Sequence, residues 1–151
     1  MQTDWTVLTF PQLGVDNLYD LLQLRDQVFV VEQASIYGDL DGLDRPALHL
    51  LGRDGSGTLV AYARLLPPGS KRDGEVAIGR VVIAPAGRGQ GLGKQLMQLA
   101  LDTAARHFPG TPLWLSAQVD KIGLYRQFGF VDQGDAYDDG GILHRDMCRP
   151  A

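Results

Sequence analysis

The chain has 151 residues, of which 44% are apolar and 21% charged, and its formal net charge is −4. That length suits one compact domain, a net acidic chain does not hold nucleic acid by general electrostatics, and no run approaches the ~18–20 apolar residues of a membrane span. The opening Met1-Gln2-Thr3-Asp4-Trp5 lacks the basic-then-apolar pattern of a secretory leader, and the lone Cys148 has no disulfide partner within the chain. A cytoplasmic protein with no membrane or nucleic-acid partner is therefore expected; a homodimer is left open.

Residues 5–10 alternate enough for a first strand, which Pro11 and Gly14 break. Asp16 can cap a helix in which Leu18, Leu21, Leu22, Arg25, Val28 and Phe29 recur at three- and four-residue spacing. Arg25 lies on that apolar stripe and calls for a buried or ligand partner. Residues 34–46 are turn-rich, with Asp39, Asp41 and Asp44 read as solvated loop carboxylates; Gly42 comes too early, and Leu50 fills the twelfth place, for a calcium loop. Residues 49–53 and 59–65 flank Asp54-Gly55-Ser56-Gly57, a hairpin signal, and 76–83 form a β-branched strand. A helix over 91–107 places Leu92, Leu96, Leu99, Ala100 and Thr103 on one face. A strand at 112–117 follows, then a short helix at 121–128 stopped by Gly129, and a closing hairpin of 130–133 and 141–147. The expected fold is a single α+β domain over 1–151, with helices flanking a mostly antiparallel mixed sheet.

The chemistry concentrates where the 76–83 strand stops at Pro85. Gly87-Arg88-Gly89-Gln90-Gly91-Leu92-Gly93-Lys94 then runs straight into an amphipathic helix. The first turn of a helix carries unpaired N–H groups and the positive end of the macrodipole, and glycines let an anion approach the backbone. Arg88 adds a planar donor fork and Lys94 a second cation. A phosphate or pyrophosphate is the natural ligand, although a glycine-rich surface loop before a helix is the plainer alternative. A Walker loop fails, with Arg88 where its first glycine belongs and Gln95 where its hydroxyl belongs. A dinucleotide fingerprint fails too, since Leu92 or Lys94 stands where its last glycine should be.

What fits is Arg-x-x-Gly-x-Gly, carried by Arg88, Gly91 and Gly93. With the strand before and the helix after, the segment resembles the pyrophosphate loop of the GNAT superfamily of acyl-CoA-dependent N-acetyltransferases. About 30 residues on, Leu124-Tyr125-Arg126-Gln127-Phe128-Gly129-Phe130 is similar to that family's Leu-Tyr-x-x-x-Gly-Phe segment. The likeness spans roughly residues 5–148. It implies acetyl-CoA as donor, with Arg88, Gly89, Gln90, Gly91, Leu92, Gly93 and Lys94 around the pyrophosphate. It also implies splayed central strands, with Val81, Val82 and Ile83 pairing with pantetheine opposite the 113–117 strand. Gln118 stands where many members have asparagine, so an identical contact is not assumed. Tyr125 is implied as general acid to the departing thiolate. A phenol near ~10 is matched closely enough to a thiol near ~8.5 for that work. Ile122, Tyr125 and Phe128 also share helical spacing, so a core role for Tyr125 stays open.

The acceptor is expected to be a primary amine, which must shed a proton before it attacks. Glu32, Glu75, His49 and His144 are the candidate bases. Glu32 ends the first helix, pairing with Arg25 being its alternative, and His144 lies in the last hairpin, where a structural histidine is the alternative. The segments around Glu32, residues 37–44 and His144 resemble an ElaA-type subgroup of the family. Arg25, Arg64 and Arg80 sit in apolar segments and can anchor an acidic group or each other. One cysteine and three scattered histidines make no metal pattern. Direct transfer in a ternary complex is expected, because Cys148 is badly placed for a covalent intermediate. A non-catalytic CoA-binding or sensing module is the rival from another class. An acyl-homoserine-lactone-type synthase shares the fold, but on a longer chain.

Overall fold

A computed structural model describes residues 2–151. The elements run β1 (Asp4–Thr9), α1 (Phe10–Arg25) continuing into a π-helical turn (Asp26–Glu32), β2 (Leu48–Arg53), β3 (Leu59–Leu66) and β4 (Val76–Ile83). There follow α2 (Leu92–His107), β5 (Leu113–Gln118), α3 (Ile122–Arg126), β6 (Val131–Asp139) and β7 (Ile142–Arg149). Seven strands form one sheet in the order β1-β2-β3-β4-β5-β7-β6. Every neighbouring pair is antiparallel except β4 and β5.

All eight residues of β3 are buried, because helices cover both faces of the sheet there. On one face, Leu96, Met97, Ala100 and Ala104 of α2 pack against Leu50, Ala61, Ala63, Leu65, Leu113 and Leu115. On the other, Leu21, Leu24 and Val28 meet Leu51, Tyr62 and Val82. A fully buried leucine contributes about 1.5–3 kcal/mol, so these two layers supply most of the cohesion.

Three expectations need correction. A first helical turn begins at Phe10, ahead of Asp16, with the Gln12 side chain accepting from the Thr9 N–H at 2.9 Å; the non-helical Gly14 (φ 70°, ψ 172°) separates it by a kink from the main helix, which starts close to Asp16 and runs to Arg25. The 121–128 helix is shorter, a 3-10 turn at Val119–Lys121 and then α3. The closing hairpin is longer, because β6 extends through Gly134 to Asp139. β6 is the outermost strand, nearly all of it exposed, so no alternating apolar pattern marked it.

Two irregularities shape the centre of the sheet. The parallel pairing of β4 with β5 covers only Val76 opposite Leu113 and Ala77 opposite Trp114. Beyond that the two strands diverge, as expected, and leave a wedge between them. On the other side of β4, Tyr62 pairs with Val82 but Arg64 with Gly79, so Arg80 and Val81 face Ala63 as a β-bulge. Arg80 takes φ 51°, a left-handed conformation that a non-glycine residue holds only when its surroundings fix it.

Candidate active site

The wedge opens into a cleft of about 770 Å³ that runs from the glycine-rich turn, past Tyr125, to the β6–β7 hairpin. At the donor end, Gly87, Arg88, Gly89, Gly91, Leu92 and Gly93 line it; Gln90 and Lys94 do not, and the Gln90 amide instead donates to the Ala86 carbonyl. The glycines have different reasons to be there. A Cβ on buried Gly87 would sit 3.0 Å from Leu92 and 3.3 Å from Val60, so packing demands it. Gly89 (φ 80°) and Gly91 (φ 76°) have open space around them, so backbone conformation demands them. Gly91 is the left-handed cap of α2, whose first residues Leu92 and Gly93 line the cleft; the first N–H groups of a helix have no carbonyl partners within it.

Val81, Val82 and Ile83 line the same cleft along β4, and Gln118 lines it from β5. The Tyr125 ring is buried edge-on against Phe130, with centroids 6.2 Å apart, while the residue also borders the cleft. Burial, with Asp120 adding to it, pushes its phenol up to about 12, so it is neutral throughout the physiological range. The ring belongs to the core, as one of the two sequence readings had it, and the cleft also reaches the residue.

Glu32 does not pair with Arg25. Its carboxylate takes both arms of the Arg88 guanidinium, at 2.8 and 2.9 Å, and that hydrogen bond and charge lower its pKa. The next residue, Gln33, exchanges amide hydrogen bonds with Gln118 at 3.3 and 3.5 Å. The end of the π-helical turn is thereby tied to both walls of the wedge.

Asp39, Asp41 and Asp44 are not solvated loop carboxylates, and this is the largest correction at the site. Arg25, fully buried, donates to Asp39 and Asp44, both at 2.7 Å. Arg64 donates to Asp44 at 2.9 Å and to Asp41, while Arg80 reaches Asp39 at 2.8 Å and Asp41 at 3.3 Å. Burial alone would raise the Asp44 carboxyl, but hydrogen bonds and charge from Arg25 and then Arg64 outweigh it and hold it low. Asp41 is held lower still, chiefly by Arg64, against the same opposing burial. Three arginines expected to anchor an acidic group or each other thus anchor the acidic loop. The same contacts fix the strained backbone of Arg80.

His49 is excluded as a cleft base. It is fully buried, donating from Nε2 to the Asp44 carbonyl at 2.9 Å and accepting from the Tyr62 hydroxyl at Nδ1, 2.6 Å. Burial first, then the Arg25 and Arg64 charges, lower its pKa and keep it neutral. Glu75 is also outside the cleft lining, beside Arg72 and the Cys148 thiol. Burial and then Glu75 raise that thiol, a poor setting for a nucleophile.

At the far end of the cleft, His144 donates from Nδ1 to the Ile142 carbonyl at 2.8 Å and stacks on Tyr137, ring centroids 6.2 Å apart. Tyr137 is hydrogen-bonded to Ser116 and donates to Asp146 at 2.6 Å. Ser116 and Tyr137 line the cleft and were missed in the sequence. The period-two pattern of β5 was the available signal for Ser116, since Trp114, Ser116 and Gln118 all turn away from the α2 core.

The sequence model of the Acetyltransferase (GNAT) family matches residues 15–130. The chain belongs to the GNAT family. It is 42% identical over 148 residues to the Escherichia coli protein ElaA, covering 97% of this chain and 95% of that one. It is 40% identical to a UPF0039 protein of Synechocystis over 147 residues, covering 97% and 95%. Among solved structures, an acyl-CoA N-acyltransferase from Pseudomonas aeruginosa superposes with a TM-score of 0.92 at 45% identity, over 98% of this chain and 99% of that one. The GNAT fold, the ElaA-like membership and an acyl-CoA-dependent acyltransferase framework are therefore facts about this chain. The glycine-led turn, the diverging β4 and β5 and Tyr125 all border one cleft in it.

Proposed function

We propose that the protein moves an acetyl group from acetyl-CoA to a primary amine by direct attack within a ternary complex. The observation that carries this is the wedge between β4 and β5, which opens directly onto the glycine-led N-terminus of α2. The unpaired edge of β4 at Val81, Val82 and Ile83 suits the amides of pantetheine, which bind as a short extra strand. Gly89, Gly91 and Gly93 let the diphosphate reach the first-turn N–H groups, and Arg88 adds its guanidinium once Glu32 yields. Gln118 offers an amide to the same arm.

Held this way, the thioester lies between Tyr125 and the acceptor end of the cleft. A backbone N–H on the 81–83 stretch polarises its carbonyl, the amine attacks, and Tyr125 gives a proton to the departing sulfur. Because its phenol is pushed up to about 12, Tyr125 never repels the developing thiolate. Positioning two reactants in one cleft supplies on the order of 7–11 kcal/mol of the barrier reduction. The Cys148 thiol is raised and outside the cleft lining, which favours attack by the amine without a covalent enzyme intermediate. The acceptor's proton leaves at the far end of the cleft, where the β6–β7 hairpin forms the wall.

The test is release of free thiol from acetyl-CoA with spermidine, glucosamine, lysine and a tripeptide as acceptors, with the product mass measured. Acetylation of at least one amine is expected, with Tyr125→Phe losing most turnover and Arg88→Ala losing thermal stabilisation by acetyl-CoA. Binding of acetyl-CoA without transfer to any amine identifies a CoA-sensing module instead.

A further inference from the structure

At the acceptor end, the hydrogen bonds of Asp146, Tyr137 and Ser116 all run in one direction. An ionised carboxylate only accepts, so Tyr137 spends its single O–H on Asp146 Oδ1 at 2.6 Å. The Tyr137 oxygen is then the acceptor in its contact with Ser116, and Ser116 is the donor. With its proton turned toward Tyr137, the Ser116 Oγ keeps its lone pairs for the cleft it lines. Ser116 lies on β5 two residues past Trp114, where pairing with β4 ends, and directly opposite Asp146 on β7. The register shift in β6 between Gln133 and Tyr137 brings the tyrosine opposite His144.

Resting on the transferase reading above, we infer that Ser116, Tyr137 and Asp146 form a proton relay that turns a cationic alkylammonium acceptor into the attacking amine. The ammonium gives a proton to Ser116 Oγ, the Ser116 proton passes to Tyr137 Oη, and the Tyr137 proton passes to Asp146. From there it leaves to water, because the Asp146 side chain is a quarter exposed. The neutral nitrogen attacks the thioester carbon, and the C–S bond breaks as the C–N bond forms. The second proton lost by nitrogen balances the one that Tyr125 gives to the sulfur. One proton is released in all.

Three neighbouring side chains set how the relay behaves. Arg72 stands 3.8 Å from the Asp146 carboxylate, an opposite charge beside the end of the chain. Glu75 pairs with the same arginine and restrains it. His144 stacks on the Tyr137 ring, with Nδ1 held by the Ile142 carbonyl, so it fixes the ring's attitude without interrupting the chain.

The experiment measures kcat and KM from about pH 6 to 11 for wild type, Ser116→Ala, Tyr137→Phe, Asp146→Asn and His144→Gln, with whichever of the alkylamines spermidine and lysine turns over better. A relay contributes on the order of 10²-fold at pH 7. The first three variants should each lose about that much kcat at an unchanged KM for acetyl-CoA, and should converge on wild type near ~10.4, where the amine is already free base. His144→Gln should lose far less. A pH-independent loss in the three variants, or turnover within twofold of wild type, overturns the relay and leaves the transferase reading intact. A pH-dependent loss confined to His144→Gln assigns the proton to the histidine and also overturns it. A wild type that binds acetyl-CoA yet acetylates no amine overturns the transferase reading and the relay with it.

Discussion

The glycine-rich arm of the cleft, proposed above for the donor, is built of backbone, whereas the arm that carries the acidic loop is built of side chains gathered from distant parts of the chain. At the glycine-rich end, four glycines, two of them left-handed, and one helix end lie within seven consecutive residues. At the other arm, Asp39, Asp41 and Asp44 meet Arg25, Arg64 and Arg80, whose positions span more than fifty residues. A ligand grip made of peptide groups tolerates changes in side chain but not in φ. A wall made of paired charges tolerates the reverse. The two arms should therefore fail differently.

The largest effect is expected from Asp44→Ala, which takes one carboxylate from both Arg25 and Arg64 and leaves them Asp39 and Asp41 alone. Breaking a buried pair costs up to about 3–5 kcal/mol, measurable by urea unfolding. Whatever protein still folds should bind acetyl-CoA with unchanged affinity. A parallel loss of affinity would break the separation of the arms.

Acid should act on the same network. The folded carboxyls of Asp41 and Asp44 are held below their unfolded values, so their contribution is present above about pH 4 and is lost as pH falls through the lowered folded values. His49 is also lowered. Its contribution is complete above the unfolded ~6.5 and declines as pH drops below that. Denaturation midpoints followed against pH should show a shallow decline below ~6.5 and a steep one below ~4. Asp44→Asn should flatten the second.

Gly91→Ala probes the donor arm. Forcing a Cβ into φ 76° costs about 1–2 kcal/mol, and relaxation of the turn should cost acetyl-CoA affinity while the ion network stays intact. Glu32→Gln has the smallest expected effect and the opposite sign. Removing an exposed partner of Arg88 should tighten acetyl-CoA binding by about two- to fivefold, the scale of a surface ion pair. Weaker binding would mean that Glu32 contributes to the site rather than competing for it.

This contrast also decides what could be read from the sequence. Order, sheet class and the glycine-rich turn before α2 were legible because period-two strands, the α2 stripe and Arg88-x-x-Gly91-x-Gly93 are local signals. The acidic loop was misread because the partners of Asp39, Asp41 and Asp44 lie on α1, β3 and β4, and no spacing within 34–46 announces them. Arg25 on an apolar stripe was the one clue, and it did find a buried partner. Glu32 was noticed for the right segment, yet only the turn of the chain brings it to Arg88, 56 residues away. Tyr137 escaped notice because β6 lacks a buried face.

The exposure of β6 has a further consequence. As the last strand of the sheet, it offers free backbone groups to which another strand could be added. Asp135, Asp138 and Asp139 stand along that border. A second molecule approaching edge to edge would bring its own row of carboxylates against them. The border that looks least finished is thus the one protected, by repulsion between identical copies, from growing into a longer sheet.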